Sequence, residues 1–282
     1  MSAELLKGKP IADAIKEVLR KELEVLAQRG ATPKLVAVLV GDNEGAKRYA
    51  GSQKKTADEM GIPYELRELP ADTAQDELLD VIDALNADKS VTGVILLTPV
   101  PPHINQRAMQ AAITAVKDVD GVSPANAGSV VQGDRRLAPC TAQSVLALAE
   151  ASGRELKGAE VVIVGHSEIV GKPVALLFLD LLATVTVCHI GTKDTPSHTR
   201  NAEILVSATG VPGLIKPDWI KPGALVIDVG APSPDVAEGA EEVAGILTPV
   251  PGGVGPLTAT MLMKNTVESA KMQAGGSCCC AE

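Results

Sequence analysis

Val161-Val162-Ile163-Val164-Gly165-His166-Ser167-Glu168-Ile169-Val170-Gly171-Lys172-Pro173 reads as a buried strand, a glycine turn and the start of a helix. An uninterrupted β-branched run suits a strand covered on both faces, as in a parallel sheet. Gly165 lets the chain turn tightly at the strand's C-terminal end, and a helix start offers free N–H groups to a pyrophosphate. The spacing is not the common G-x-G-x-x-G, so pattern alone leaves an ordinary strand-to-helix turn equally open.

Outward from this turn the same alternation continues. On the C-terminal side, a helix over Val170–Leu182 is followed by strands at Thr184–Cys188, Glu203–Val206 and Ala224–Asp228, and a last helix covers about Thr258–Met272. On the N-terminal side the chain proceeds directly into a helix over residues 10–29, with Ile11, Ile15, Val18, Leu19 and Leu26 as its apolar stripe and Gly30 as its stop. Then come a strand over Lys34–Val40, a helix over Glu44–Met60 stopped by Gly61, and a strand over Tyr64–Leu69. A helix over Thr73–Asn86, capped by Thr73, a strand over Thr92–Leu97, a loop from Asp118 to Arg136 and a helix over Thr141–Ser152 complete the series. Alternating strands and helices predict an α/β protein of two lobes, the second doubly wound.

The 282 residues are 45% apolar, enough for a substantial core, and that core must be aliphatic because Tyr49, Tyr64, Phe178 and Trp219 are the only aromatics. A formal charge of -9 argues against nucleic acid or an anionic membrane as partner. No apolar run reaches the ~18 residues of a membrane span, and the first residues hold no signal-peptide core, so the cytoplasm is expected. Cys140 and Cys188 sit beside apolar runs and read as small buried residues; Cys278, Cys279 and Cys280 read as a frayed terminus with exposed thiols. His103, His189 and His198 fall in separate segments without metal-ligand spacing and read as structural.

Several motifs are more specific. Gly165-x-Ser167-x-Ile169-Val170-Gly171-x-Pro173, Thr184 to His189, Trp219-Ile220-Lys221-Pro222-Gly223, Val226-Ile227-Asp228-Val229-Gly230 and Thr248-Pro249-Val250-Pro251-Gly252-Gly253-Val254-Gly255-Pro256 occur in that order. Together they resemble the methylenetetrahydrofolate dehydrogenase/cyclohydrolase family, and the resemblance covers residues from about 8 to 272. It implies a tetrahydrofolate-binding lobe of residues 1–140 plus 259–282, a Rossmann-like NAD(P)-binding lobe of residues 141–258, and a cleft between them. It also implies a homodimer. Cofactor contacts are expected at Thr141, Gly165, His166, Ser167, Ile169, Ile190, Gly210 and Gly230. NADP is the family's usual cofactor. Many NADP-using relatives carry Arg where this chain has His166, and often Ser where it has Ile190; an imidazole is mostly neutral near pH 7 and an isoleucine offers nothing polar, so NAD stands as the alternative.

The substrate motifs depart from the family in one place. Tyr49-Ala50-Gly51-Ser52-Gln53-Lys54-Lys55 resembles its Tyr-Val-x-x-Lys-x-Lys helix, in which the tyrosine flanks the folate's aminobenzoyl ring and the first lysine acts in the methenyl chemistry. That lysine is Gln53 here. The glutamine partnering it, in the family's Val-Gln-Leu-Pro-Leu-Pro, is Leu97. Gln53 shares a helix face with Tyr49 and can hydrogen-bond, but it cannot hold a charge or shuttle a proton; Lys54 is rotated by about 100°. Hydride transfer, which needs proximity and orientation, is expected to persist while cyclohydrolase activity is weak or lost. Asp118-Val119-Asp120-Gly121 resembles the Asp-Val-Asp-Gly whose second aspartate grips the pterin, which makes Asp120 the expected anchor. Pro251, Gly252, Gly253 and Thr258 are expected to border the reacting carbons. An ordinary bifunctional enzyme, a dehydrogenase of a modified pterin carrier and a folate-binding protein without catalysis remain the alternatives.

Overall fold

A computed structural model describes residues 2–275; the Cys278–Cys280 triplet lies outside the described residues. In chain order the elements are β1 (Glu4–Leu5), α1 (Gly8–Gln28), β2 (Leu35–Val40), α2 (Glu44–Met60), β3 (Tyr64–Leu69), α3 (Gln75–Ala87), β4 (Gly93–Leu96), α4 (Gln106–Ala112), α5 (Pro124–Val131) and α6 (Cys140–Ala151). They continue with β5 (Glu160–Val164), α7 (Gly171–Asp180), β6 (Thr184–Cys188), α8 (Thr195–Thr199), β7 (Ile204–Ser207), β8 (Leu225–Asp228), β9 (Ile246–Leu247) and α9 (Val254–Ala274). The class is the expected α/β. The chain groups into two compact units: residues up to Ala14 with Pro139–Met261, and Ile15–Ala138 with the chain from Leu262.

The second of these units is built on a three-stranded parallel sheet in the order β3-β2-β4. The central strand β2 is buried along its whole length, which is why its sequence is purely apolar. Val36, Val38 and Val40 pack with Leu78, Ile82 and Leu85 of α3 and with Val94 and Leu96 of β4. Asn43 caps α2 by accepting from the Ala46 N–H, and Gly61 ends it in the left-handed conformation at φ 70°.

The other unit carries a six-stranded, all-parallel sheet in the order β1-β9-β8-β7-β5-β6. The chain leaves β5 for β6 on one side and reaches β7 on the other. The strand order therefore reverses at β5, where doubly wound sheets open a crevice beyond their strand ends. Phe178 of α7 is fully buried, beside an otherwise aliphatic core.

Four local expectations change. The N-terminus does not enter α1 directly: Glu4 and Leu5 first pair with Ile246 and Leu247 of β9. Val18 of α1 is exposed, and the buried stripe is instead Ala12, Leu19 and Leu26, spaced at two turns. Thr73 does not cap α3, because its hydroxyl donates to the Pro70 carbonyl; the helix starts after Ala74, whose N–H is taken by the Glu77 carboxylate. The loop from Asp118 to Arg136 contains α5, with Ser123 as N-cap and Pro124 in the first turn, a start signal present in the sequence. Among the described residues no helix is long and apolar enough to cross a membrane.

Candidate active site

The residues expected to hold substrate in the three-stranded unit come from α2, the end of β4 and the loop before α5. Asp118 is buried and fixed: its carboxylate accepts from the N–H groups of Gly121 (3.0 Å) and Ser123 (2.7 Å) and from Asn126 Nδ2 (2.9 Å). Asn265 of α9 donates to the carbonyls of Val119 (2.9 Å) and Ala138 (3.0 Å), bracketing Asp120 from the backbone side. Gly121 is obligatory there, with φ 75° and backbone carbonyls of Leu137 and Ala138 where a Cβ would stand. Three residues before Gly121, Asp118 is thus structural. Burial, with the charge of Asp118 added, pushes the Asp120 carboxyl up to about 7.

On α2, Gln53 is fully buried and its Oε1 accepts from the Tyr64 hydroxyl at 3.0 Å, while its Nε2 has no acceptor among the described residues. Lys54, one position on, is exposed and paired with Asp58 at 2.9 Å. It therefore does not stand in for a lysine at 53. Tyr49 is half-buried on the Gln53 side of the helix. Leu97 follows β4 and is buried at 1% exposure, its N–H held by the Val38 carbonyl. His103 is held to the Thr73 carbonyl at 2.9 Å and serves the fold.

In the six-stranded unit the glycine turn sits at the C-terminal end of β5. Gly165 adopts φ 118°, and a Cβ there would strike the Ala208 carbonyl beyond β7; a Cβ on Gly171 would strike the Gly165 carbonyl. No side chain fits either place, which is what close approach of a dinucleotide backbone requires. Ser167 alters one expectation. Its Oγ accepts from the N–H groups of Val170 (3.2 Å) and Gly171 (3.4 Å), and its carbonyl accepts from Lys172 N–H (3.0 Å), so these amides are engaged within the turn. His166 is exposed with its ring 5.0 Å from that of His189, whose Nδ1 accepts from Gly191 N–H. Ile169 and Ile190 are exposed, Ile190 completely. Thr141 is half-buried in the first turn of α6.

Gly210 and Gly230 are anchored by two buried carboxylates, one of which the sequence reading missed. Asp235 Oδ2 accepts from Ser207 Oγ (3.0 Å), Thr209 N–H (2.7 Å) and Gly210 N–H (3.3 Å). Asp228 accepts from the N–H groups of Gly230 (2.8 Å), Asp235 (3.1 Å) and Val236 (3.0 Å). Burial raises the Asp228 carboxyl despite those donors, with Asp235 adding to the effect. Asp235 lies in a Ser-Pro-Asp turn, where an acidic residue reads as solvent-facing, and nothing local marks it as an anchor. Pro251 is exposed; Gly252 accepts from Gly8 N–H at 2.9 Å, and Gly253 is buried against Thr248 and Pro249, donating to the Pro249 carbonyl at 2.7 Å. Thr258 lies one turn inside α9, its hydroxyl bonded to the Val254 carbonyl at 3.3 Å, because the helix begins at Val254.

Two family profiles match in tandem: the tetrahydrofolate dehydrogenase/cyclohydrolase catalytic domain over residues 6–120 and its NAD(P)-binding domain over residues 139–274. The chain belongs to the tetrahydrofolate dehydrogenase/cyclohydrolase family. It is 45% identical to the bifunctional protein FolD of Moorella thermoacetica, across 96% of this chain and all of that one. It is also similar to the crystal structure of the bifunctional FolD enzyme of Campylobacter jejuni, at 39% identity and TM-score 0.92, over 96% of this chain and 99% of that one. The FolD of Trypanosoma brucei, solved with NADP and an inhibitor, gives 36% identity and TM-score 0.90, over 96% and 98%. Within this family, the buried amide at 53 and the buried leucine at 97 are the features that bear on chemistry.

Proposed function

We propose that this family member is an NAD(P)-dependent 5,10-methylenetetrahydrofolate dehydrogenase whose methenyltetrahydrofolate cyclohydrolase activity is weak or lost. Its relatives' names support the substrate and the first activity. One observation carries the restriction: position 53 holds a buried amide tied to a phenol, while the adjacent lysine faces away and is paired with Asp58. An amide neither titrates nor relays a proton, so hydrolysis of the methenyl carbon lacks its catalyst. The unit of Ile15–Ala138 with the chain from Leu262 is the folate lobe on this reading, and the other unit holds the nicotinamide cofactor, working as a cytoplasmic homodimer.

In the folate lobe Asp120, when ionised, accepts from the ring N–H and amino donors of the pterin, and Tyr49 flanks the aminobenzoyl ring. In the other lobe Gly165, Ser167, Gly210 and Gly230 shape the backbone that holds NADP, with NAD as the alternative. His166 and Ile190 stand where a 2′-phosphate asks for charge and hydroxyl. The bound nicotinamide supplies the hydride acceptor. The protein's contribution to that transfer is to align the carbons and exclude water, and no general base is required.

The test is a spectrophotometric assay with methylenetetrahydrofolate and each nicotinamide, following reduced cofactor and methenyl product separately. Methenyl product accumulating in step with reduced cofactor is the expected result. Methenyl product vanishing as fast as it forms overturns the restricted reading. Folate binding without any cofactor reduction overturns the dehydrogenase itself.

A further inference from the structure

The backbone on either side of Asp120 is held by two side chains from different parts of the chain. The Val119 carbonyl, in the peptide unit before Asp120, accepts from Asn265 Nδ2 at 2.9 Å. The Gly121 N–H, in the peptide unit after it, donates to Asp118 Oδ1 at 3.0 Å. Peptide units are planar, so only the two backbone dihedrals of Asp120 lie between these held groups. With both planes pinned, the Cα–Cβ bond of Asp120 keeps one direction. Asn265 spends its second proton on the Ala138 carbonyl at 3.0 Å, which ties the turn to the segment that crowds Gly121. Both acceptors are carbonyls, so the amide nitrogen and not its oxygen must face them. Val119 and Ala138 are fully buried, whereas Asp120 itself is only half-buried. All of these residues belong to the unit of Ile15–Ala138 with the chain from Leu262.

We propose that Asn265 is a positioning residue for Asp120: together with Asp118 it clamps the two peptide planes that flank the acid and so aims the carboxylate at the pterin. The inference rests on the proposed function, in which Asp120 anchors the substrate, and adds the device that aims the anchor. Asn265 is fully buried on α9, among the buried apolar residues Leu262, Met263 and Val267. A buried amide is costly unless both ends are satisfied, and a leucine of similar size would serve packing alone. Direction is what the amide adds. Its neighbour Thr266 shows the contrast, returning its hydroxyl to the Leu262 carbonyl of the same helix. Ser269, one turn beyond Asn265, donates to the Val116 carbonyl at 2.5 Å and accepts from Gln273 Nε2 at 2.8 Å. Those bonds fasten the helix upstream of the turn and touch neither peptide plane at Asp120.

The test is a double-mutant cycle on the full-length enzyme with Asn265→Leu and Asp120→Asn, reading kcat and KM for methylenetetrahydrofolate, KM for the nicotinamide, and Tm. Misdirecting a charge-assisted bond predicts a rise in folate KM of about ten-fold for Asn265→Leu, with kcat and nicotinamide KM little changed. Placed on Asp120→Asn, the same substitution should raise folate KM no further, because Asn265 acts only through that carboxylate. Asn265→Leu should also lower Tm, since two buried carbonyls lose their donor. Ser269→Ala separates this loss from positioning: it removes a bond from the same helix and should lower Tm with folate KM unchanged. Asn265→Ser, which keeps at most one donor, replaces the leucine variant if that variant does not fold, and should raise folate KM by about three-fold. A wild-type folate KM at position 265 despite a lowered Tm, an equal rise in Ser269→Ala, or additive effects in the double variant overturns the inference while leaving the dehydrogenase reading intact. A folate KM unchanged in Asp120→Asn alone overturns the anchor and its positioning together.

Discussion

On the proposed function, Asp120 and Gln53 divide the chemistry of the folate lobe between a titrating and a non-titrating group. With its carboxyl pushed up to about 7, Asp120 is only partly ionised in the free enzyme near neutrality. Pterin donors favour the ionised form, so kcat/KM for the folate substrate should fall below pH 7 with a slope of one proton, and binding should release a proton that calorimetry in two buffers detects. Asp120→Asn should lower kcat/KM by about 10- to 100-fold, the loss of a charge-assisted bond, and abolish that limb of the profile. A profile unchanged by the substitution removes Asp120 from the site. For hydrolysis the reciprocal change is informative: Gln53→Lys with Leu97→Gln should gain cyclohydrolase activity, seen as faster decay of methenyl product, and more than Gln53→Lys alone. An ammonium without a hydrogen-bonding partner is poorly accommodated in a buried place. The motifs that single out Asp120, Gln53 and Leu97 as candidates were legible in the sequence. Tyr64 and Asp235 were not, because each acts on a residue far along the chain, and no periodicity or spacing encodes a contact made only by folding.

The glycine turn after β5 shows what an element can reveal before it folds. Its strand is an unbroken apolar run and its turn needs φ 118° at Gly165, a conformation that glycine alone adopts at low cost. Gly165→Ala should therefore destabilise the fold by about 1–3 kcal/mol and weaken nicotinamide binding, with folate binding spared. Urea unfolding and cofactor titration measure the two effects, and a variant of wild-type stability contradicts the strained turn. Interior strands such as β2 and β5 were legible because burial on both faces forces a β-branched run. Strands β1 and β9 were invisible, being two residues each and defined by pairing alone, β1 with β9 across most of the sequence and β9 with β8. Helix α5 was missed for a different reason: Ser123-Pro124 is a sound start signal, but Asn126, Gly128 and Ser129 dilute its pattern to that of a loop.

Across the molecule, buried acids set how stability responds to pH. Asp120 and Asp228 both have folded-state carboxyls raised above their unfolded values by burial. The folded protein therefore holds protons that the unfolded chain has already released. Through that window stability falls as pH rises, starting near the unfolded carboxylate value of about 4 and, for Asp120, ending near 7. Asp134 and Glu65, held below their usual range by Arg136 and by Lys34 with Arg67, oppose this, but their contributions are already complete above about pH 4. Between pH 5 and pH 7 the raised acids should dominate, and the ligand-free protein should melt at progressively lower temperature. Asp120→Asn removes one of the two contributions without adding a charge. The difference in Tm between variant and wild type should accordingly widen in favour of the variant from pH 5 to pH 7 and level off above it. A parallel pair of curves would mean that Asp120 titrates alike in the folded and unfolded chain, which its place beside the fixed carboxylate of Asp118 argues against.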